Sequence, residues 1–376
     1  MHILHLYKDY FPILGGIENH IRGLAEAQAG AGHQVTVLVC DPGPHSRIED
    51  LNGVRVIKAG RLTTAASMPL SLSQPLALAR LRPDVAHVHS PYPLGEVANW
   101  LLGRAHATVV TYHSDVVRQR GWLRLYGPLL RRVLRAADRI IATSPRYIET
   151  SPWLLPVRDK CVVVPLGVDE RRFVPPAAPF DGPPTLLFTG RLRYYKGLDT
   201  LLRALADLPR VQLVVAGDGP MRDPWEALAL ELDVAGRVRF LGEVDDADLP
   251  ALYRRAHLFV LPGNARAEAF STAMLEAMAS GLPCITTEVG SGTSWVVQDS
   301  VTGLVVPPRD PAALAGAIQS LLADTARRQA MGRAGRARVE AEFTLERMVA
   351  RVQAVYEEVL AASKSGGRPA SAGDPG

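Results

Sequence analysis

Short β-branched runs alternate with amphipathic helical stretches along almost the whole chain, and one segment that can be neither helix nor strand interrupts them. That segment, Asp169 to Pro184, holds five prolines in the ten residues 175–184. Proline removes a backbone donor and clashes inside a helix, so these residues read as a linker. Before it, strands are expected at His2–Leu6, Gln34–Cys40, Arg55–Lys58, Val85–His89, Thr108–Tyr112, Arg139–Ala142 and Cys161–Pro165. After it, they are expected at Thr185–Thr189, Gln212–Ala216, Val238–Leu241, Leu258–Leu261 and Cys284–Thr287. Gly16–Ala29 sets Ile17, Ile21, Leu24, Ala25 and Gln28 on one helix face. Strand–helix alternation implies βαβ units and parallel sheets.

The expected architecture is therefore α/β: two doubly wound domains, 1–168 and 185–344, joined by the linker 169–184. Helices are expected at Pro311–Ala323 and Thr325–Glu340, then a C-terminal one over 345–361 able to cross back to the first domain. The residues 362–376 are small, polar and rich in Pro and Gly, and are expected to be disordered. Open sheets bind ligands beyond the carboxyl ends of their strands. A cleft enclosed by two facing sheets is the expected site.

Composition narrows the function. A chain of 376 residues, 47% hydrophobic and 21% charged, has the length of about two folded domains. With a net charge of +4 and 6% aromatic residues, no basic, aromatic-interleaved cluster of the kind that binds nucleic acid stands out except the stretch from Arg118 to Arg139. Cys40, Cys161 and Cys284 form no CxxC and read as reduced thiols. No apolar run approaches the roughly 18–20 residues of a membrane span. The start, Met1 to Lys8, lacks the features of a signal peptide, so a cytoplasmic protein is expected.

Four segments carry candidate chemistry. Gly15-Gly16 follows the first strand and opens a helix, where backbone can approach an anion. It is not GxGxxG, which leaves a dinucleotide oxidoreductase without support. Gly190-Arg191 to Lys196-Gly197 follows a strand, and two fixed cations there suit a leaving diphosphate whose charge grows as its bond breaks. Glu268 to Glu276 leads into a helix expected at Met274–Ser280. Carboxylates eight residues apart on one helix stand about 12 Å apart along its axis. That exceeds the roughly 5–9.5 Å of a glycosidase pair and fits two ends of one extended ligand. His113 ends a strand at the edge of the same expected cleft. Each segment alone also has an ordinary structural role: a tight turn, solvated basic residues, a solvated helix face, a structural histidine. His87 and His89 share a strand face, but no third ligand has a helpful spacing, so no metal site is expected.

Taken in order, these pieces resemble glycosyltransferase family 4, the retaining enzymes with two facing Rossmann-like domains known as the GT-B fold. The matching marks are Gly15-Gly16-Ile-Glu-Asn-His, Gly190-Arg191-Leu to Lys196-Gly197, Ala216-Gly-Asp-Gly-Pro220, Phe240-Leu-Gly242, and Glu268 to Glu276 followed by Ala277-Met-Ala-Ser-Gly-Leu-Pro283. The resemblance implies a nucleoside diphosphate sugar as donor substrate, no metal or other cofactor, and a sugar or lipid-linked glycan as acceptor. It implies that Gly15 and Gly16 meet the donor phosphate and sugar, and that Arg191 and Lys196 bind the diphosphate. Glu268 would hold the transferred sugar with Ala269, Phe270, Ser271 and Thr272, and Glu276 the ribose. Gly217, Gly219, Gly242, Glu243 and Val244 would lie near the base, and His113 beside the transferred sugar. The family usually has Glu-Gly-Phe-Gly where this chain has Glu268-Ala269-Phe270-Ser271. The Gly290 to Trp295 loop and Tyr112 to Asp115 resemble bacterial mannosyltransferases of polysaccharide assembly, which points to GDP-mannose. A nucleotide-sugar epimerase and a non-catalytic sugar-nucleotide-binding protein are the alternatives.

A last segment bears on location. Arg118, Arg120, Arg124, Arg131, Arg132, Arg135 and Arg139 alternate with Trp122, Tyr126 and leucines, with Asp138 as the single acid. Gly127-Pro128 is expected to divide the stretch into two short helices. A basic, aromatic amphipathic segment suits an anionic bilayer surface, and many members of the resembling family act on lipid-linked acceptors. Peripheral attachment at the inner face of the cell membrane is the expectation.

Overall fold

The β-branched runs become the strands of two sheets. The structure, a computed structural model, describes residues 1–13, 15–65, 68–115, 120–178 and 180–365. One unit comprises Met1–Ala142, Trp153–Val164 and the chain from Val349 on; the other comprises Thr143–Pro152 and Pro165–Met348.

The strands of the first unit are β1 (His2–Leu6), β2 (Gln34–Cys40), β3 (Arg47–Leu51), β4 (Val54–Ala59), β5 (Thr63–Ala65), β6 (Met68–Leu70), β7 (Val85–Ser90), β8 (Ala107–Tyr112), β9 (Arg139–Ala142) and β10 (Cys161–Val163). Eight form one sheet in the order β10-β9-β8-β7-β1-β2-β4-β3, while β5 and β6 form a separate hairpin. All neighbours in the large sheet are parallel except β3 and β4. The order reverses at β1, which lies between β2 and β7. The helices are α1 (Gly16–Gly30), α2 (Ser73–Arg80), α3 (Pro93–Leu102) and α4 (Arg120–Ala136). The strand β3 was not expected. Its exposed edge carries Arg47, Glu49 and Asp50 and so lacks apolar alternation. The signal was instead the Asn52-Gly53 turn, whose φ values of 53° and 79° suit a two-residue hairpin.

In α4 the structure corrects the sequence expectation: the helix runs unbroken through Pro128. A proline's φ is helical, and the loss of one backbone bond is offset by burying Leu130, Val133 and Leu134. Gly127 lies against Trp153, where a Cβ would stand 2.8 Å from the indole.

The second unit begins with α5 (Pro145–Thr150). Its strands are β11 (Thr185–Thr189), β12 (Gln212–Ala216), β13 (Val238–Gly242), β14 (Leu258–Leu261), β15 (Cys284–Thr287) and β16 (Gly303–Val306). They form a parallel sheet in the order β13-β12-β11-β14-β15-β16. The chain winds outward from β11 to β13, returns to β14 and winds out the other way, so β11 and β14 flank the switch point. The helices are α6 (Leu198–Ala206), α7 (Arg222–Glu231), α8 (Leu249–Arg254), α9 (Thr272–Ala279), α10 (Thr293–Val296), α11 (Pro311–Ala323) and α12 (Thr325–Glu342). Leu201, Leu205, Phe259, Met278 and Ile318 are fully buried in the resulting core. The last helix, α13 (Leu345–Ser365), continues past the expected end at Ala361, and Ser363 donates to the His106 carbonyl at 3.4 Å.

Candidate active site

The second unit gathers its candidate residues where the sheet reverses. Lys196 sits in the loop after β11 and Glu268 in the loop after β14, the two strands that flank the switch point. Lys196 Nζ lies 3.0 Å from both Glu268 Oε1 and Oε2. Burial works against the Lys196 charge, but the Glu268 carboxylate overrides it and holds the ammonium above its ordinary range. Burial pushes the Glu268 carboxyl up, and Lys196 pulls it back. Arg191, in the same loop, is exposed and has no ion pair among the described residues. The two cations thus differ: one is tied to a carboxylate, the other projects into solvent.

The loops are held by backbone fit. Gly197 has φ 70°, and a Cβ there would stand 1.9 Å from the Pro262 carbonyl oxygen. Asn264 donates through its amide to the Tyr195 carbonyl (2.9 Å) and through Nδ2 to the Tyr194 carbonyl (3.0 Å). After β12, Gly217 has φ 128° and a Cβ there would meet the Gly190 carbonyl oxygen at 2.3 Å. Gly219 has φ 156° and crowds Leu192 in the same way. Gly242, Glu243 and Val244 follow at the end of β13, with Glu243 exposed and Val244 half-buried. Asp218 accepts from Arg222 at 3.0 Å beside them.

Glu268 and Glu276 do not share a helix. Only Glu276 lies in α9, whose first residue is Thr272, so the 12 Å axial spacing expected for a common helix does not apply. Tyr253 donates to Glu276 Oε2 at 2.6 Å and lies 2.8 Å from Thr189 Oγ1. Burial pushes the Glu276 carboxyl up, and the Tyr253 hydrogen bond opposes it. Sequence reasoning missed Tyr253, which sits in α8 with nothing local to mark it. Ala269 and Ser271 are buried, and Phe270 and Thr272 are half-buried. Ser271 precedes α9 with φ −130°, an ordinary extended conformation, so the backbone here does not require the family's glycine. The Gly292 amide donates to the Ala269 carbonyl at 2.8 Å, which joins the Gly290 to Trp295 loop to this segment.

In the first unit, Gly15 precedes α1 in extended conformation, and a Cβ on it would stand 2.2 Å from Glu18 Oε2. The Glu18 carboxylate therefore already lies at this helix N-terminus. A Cβ on Gly16 would meet nothing within 4 Å. His113 follows β8 and is buried in a group of five histidines. Here the fold corrects the spacing argument made for His87 and His89. His5 on β1 pairs in register with His87 on β7, while His20 comes from α1 and His113 from the end of β8. One nitrogen from each of His5, His87 and His89 lies within 4.8 Å of the others, and the same holds for His20, His89 and His113. Burial drives all five well below the ordinary histidine range, His5 to about 4 and His20 to about 3.

Of the basic segment, Arg118 lies outside the described residues, as do the side chains of Arg120, Trp122 and Arg124. Arg131, Arg132 and Arg135 are exposed along α4, with Arg131 stacked 5.5 Å over the Trp153 ring. Among the described residues no helix is long and apolar enough to cross a membrane.

Comparison with known proteins agrees with this architecture. Residues 14–172 match the Glycosyltransferase Family 4 model and residues 169–338 the Glycosyl transferases group 1 model. The chain is 38% identical to the D-rhamnosyltransferase WbpZ of Pseudomonas aeruginosa, covering 92% of each protein. It is 34% identical to the O-antigen chain mannosyltransferase C of Escherichia coli, over 96% of this chain and 99% of that one. The sucrose-phosphate synthase of Thermosynechococcus elongatus superposes with a TM-score of 0.81 at 27% identity, over 96% and 99% of the two chains. With its paired Rossmann-like α/β units, the chain belongs to glycosyltransferase family 4 and is a glycosyltransferase of the GT-B class.

Proposed function

We propose that the enzyme transfers a hexose, with mannose from GDP-mannose as the favoured case, from a nucleoside diphosphate sugar to a hydroxyl of a glycan acceptor, with retention at the anomeric carbon. The observation that carries the reading is the Lys196–Glu268 pair at the switch point of a doubly wound sheet, the place where such sheets take ligands. Arg191 and Lys196 bind the diphosphate, whose charge grows as the anomeric C–O bond breaks. Glu268 accepts from hydroxyls of the departing sugar and, through Lys196, keeps the sugar and phosphate subsites in register. Glu276, oriented by Tyr253, accepts from the ribose hydroxyls. Gly217, Gly219 and Gly242 give close backbone approach to the base. His113 and the Gly15-Gly16 turn meet the transferred sugar. The new C–O bond forms on the face from which the diphosphate leaves, and the acceptor proton passes to a diphosphate oxygen. The two cations supply the charge stabilisation, and no metal is needed. Mannose is favoured because the similar chains act in mannosyl and rhamnosyl transfer, as their names state.

The acceptor is a lipid-linked glycan, reached at an anionic membrane surface. Support comes from α4 and from α3, which packs against it through the Tyr126 hydroxyl donating to Glu96. Arg131, Arg132 and Arg135 are exposed on α4; Trp100, Leu101 and Leu102 are exposed on α3 at 38%, 64% and 42%. Basic and interfacial apolar side chains on one layer suit a bilayer surface.

A panel of nucleotide sugars screened by thermal shift, followed by NMR of the product's anomeric configuration with and without EDTA, tests the reaction. Stabilisation by GDP-mannose and an α-product resistant to EDTA are expected. A product of inverted configuration, or turnover abolished by EDTA and restored by Mg²⁺, would overturn it.

A further inference from the structure

Four buried side chains of the first unit form one hydrogen-bonded line. Gln28 Oε1 lies 2.8 Å from His5 Nε2, His5 Nδ1 lies 3.1 Å from His89 Nε2, and His89 Nδ1 lies 3.1 Å from His113 Nε2. An imidazole in its neutral form has one donor and one acceptor nitrogen, so the role of each atom fixes the next. Gln28 Oε1 only accepts, hence His5 carries its proton on Nε2. His5 Nδ1 then accepts from His89 Nε2–H, and His89 Nδ1 accepts from His113 Nε2–H. Gln28 is itself oriented at its other end: Nε2 donates to the Tyr356 hydroxyl at 3.5 Å, and that hydroxyl lies 2.5 Å from His87 Nδ1.

We infer that Gln28, His5 and His89 are positioning residues that set the tautomer of His113, leaving its Nδ1 as a hydrogen-bond acceptor for a hydroxyl of the donor sugar. The functional half of this statement rests on the reading of His113 given above; the tautomeric half does not. Burial favours the neutral form of all three rings, as the line requires. A metal ion is the competing use of the same rings. Tetrahedral imidazole ligands at 2.0–2.1 Å from zinc stand about 3.3 Å apart. His89, which belongs to both histidine groups, would have to give up one of its two hydrogen bonds in the line to serve as such a ligand.

The test uses the full-length protein with ¹⁵N-labelled imidazole rings and long-range ¹H–¹⁵N spectra at neutral pH, the His113 signals being assigned with His113→Gln. The expected wild-type result is a proton on Nε2 and none on Nδ1. Gln28→Leu is close to isosteric and removes the acceptor. The buried line then reverses, because an unpaired ring nitrogen is cheaper to bury than an unpaired N–H, and the His113 proton moves to Nδ1. In a His89→Leu background, Gln28→Leu should no longer change His113. Tyr356→Phe, which frees the Gln28 amide, should give a mixture of tautomers. A wild-type His113 protonated on Nδ1, or one unchanged by Gln28→Leu, overturns the inference, as does stoichiometric zinc in protein equilibrated with the ion. In transfer assays Gln28→Leu should lower kcat by about tenfold, the scale of one hydrogen bond. The expected spectra together with normal turnover by His113→Gln would overturn the sugar contact while leaving the tautomeric line standing.

Discussion

Lys196 Nζ stands 3.0 Å from both carboxylate oxygens of Glu268, joining loops from two different strands across 72 residues of sequence. Each charge is nearly removed from water, with side-chain exposures of 12% and 3%. Such a pair is a poor source of net stability, yet breaking it leaves a buried charge alone. Lys196→Ala should therefore lower kcat/KM by about 10²–10³-fold and also lower the thermal midpoint. Arg191→Ala removes an exposed cation and should lower kcat/KM with no change in melting. Melting curves beside steady-state kinetics separate the two, and near-normal turnover by both variants would remove the diphosphate assignment.

Glu276 and Glu268 should fail differently. Glu276 is tied to Tyr253 and assigned to the ribose, away from the reacting bond. Glu276→Ala should mainly raise donor KM, whereas Glu268→Ala should lower kcat as well. Tyr253→Phe should reproduce a milder Glu276 phenotype, because it leaves the carboxylate in place without its 2.6 Å donor. Calorimetry with free nucleoside diphosphate checks the assignment: unchanged affinity in Glu276→Ala removes the ribose role.

The glycines divide by what surrounds them. Gly217→Ala places a Cβ 2.3 Å from the Gly190 carbonyl oxygen at a φ of 128°. Strain of about 1–3 kcal/mol is expected there, with displacement of the loop that carries Arg191 and Lys196, and hence a higher donor KM. At Gly16 a Cβ meets nothing within 4 Å. Gly16→Ala should leave the melting midpoint the same or higher, since alanine is the better helix former, while lowering turnover if ligand fills that space. Wild-type kinetics in Gly16→Ala would argue against a ligand at α1.

How far sequence reasoning reached follows from the kind of signal each feature leaves. Buried parallel strands such as Val85–Ser90 and Leu258–Leu261 are continuous apolar runs, so their existence was readable and only their ends moved by a residue or so. The edge strand β3 was lost because its exposed face carries charges. The break expected at Pro128 failed because packing of Leu130, Val133 and Leu134 outweighs one missing donor. The candidate residues were legible as motifs in order, but not their partners. Nothing local joins Lys196 to Glu268 or Tyr253 to Glu276. The histidines at 5, 20, 87, 89 and 113 meet only because the sheet order sets β1 beside β7 and β7 beside β8.

That histidine group should make the first unit acid-sensitive. Each folded-state value is depressed, to about 4 for His5 and about 3 for His20, against 6.5 in the unfolded chain. Below pH 6.5 the unfolded state binds protons that the folded state refuses, so stability falls as pH drops toward the folded values. One such ring contributes about 1.4 kcal/mol per pH unit in that window. Melting midpoints should decline from pH 7 to pH 5, and His20→Phe should flatten the decline. A pH-independent midpoint over that range would show that the rings take up protons in the fold as readily as in the unfolded chain, and would remove the depressed values.

The membrane reading turns on α4. Among the described side chains of α4 the buried face is Gly127, Leu130, Val133 and Leu134, and the exposed face left to a bilayer is Pro128, Arg131, Arg132, Arg135 and Ala136. Arginines near an anionic surface add about 1 kcal/mol each, attenuated within a Debye length by salt. Trp100, Leu101 and Leu102 on α3 supply apolar and aromatic groups that salt does not screen. Sedimentation with anionic vesicles should therefore show binding that falls as salt rises. Arg131→Glu with Arg132→Glu should abolish most of the salt-sensitive part, and Trp100→Ala should lower the part that persists at high salt. Both variants should keep wild-type turnover on a water-soluble acceptor analogue, because the substitutions lie on the exposed faces of their helices. Equal partitioning onto neutral and anionic vesicles at low salt, or none onto either, would exclude the anionic surface and leave a soluble acceptor.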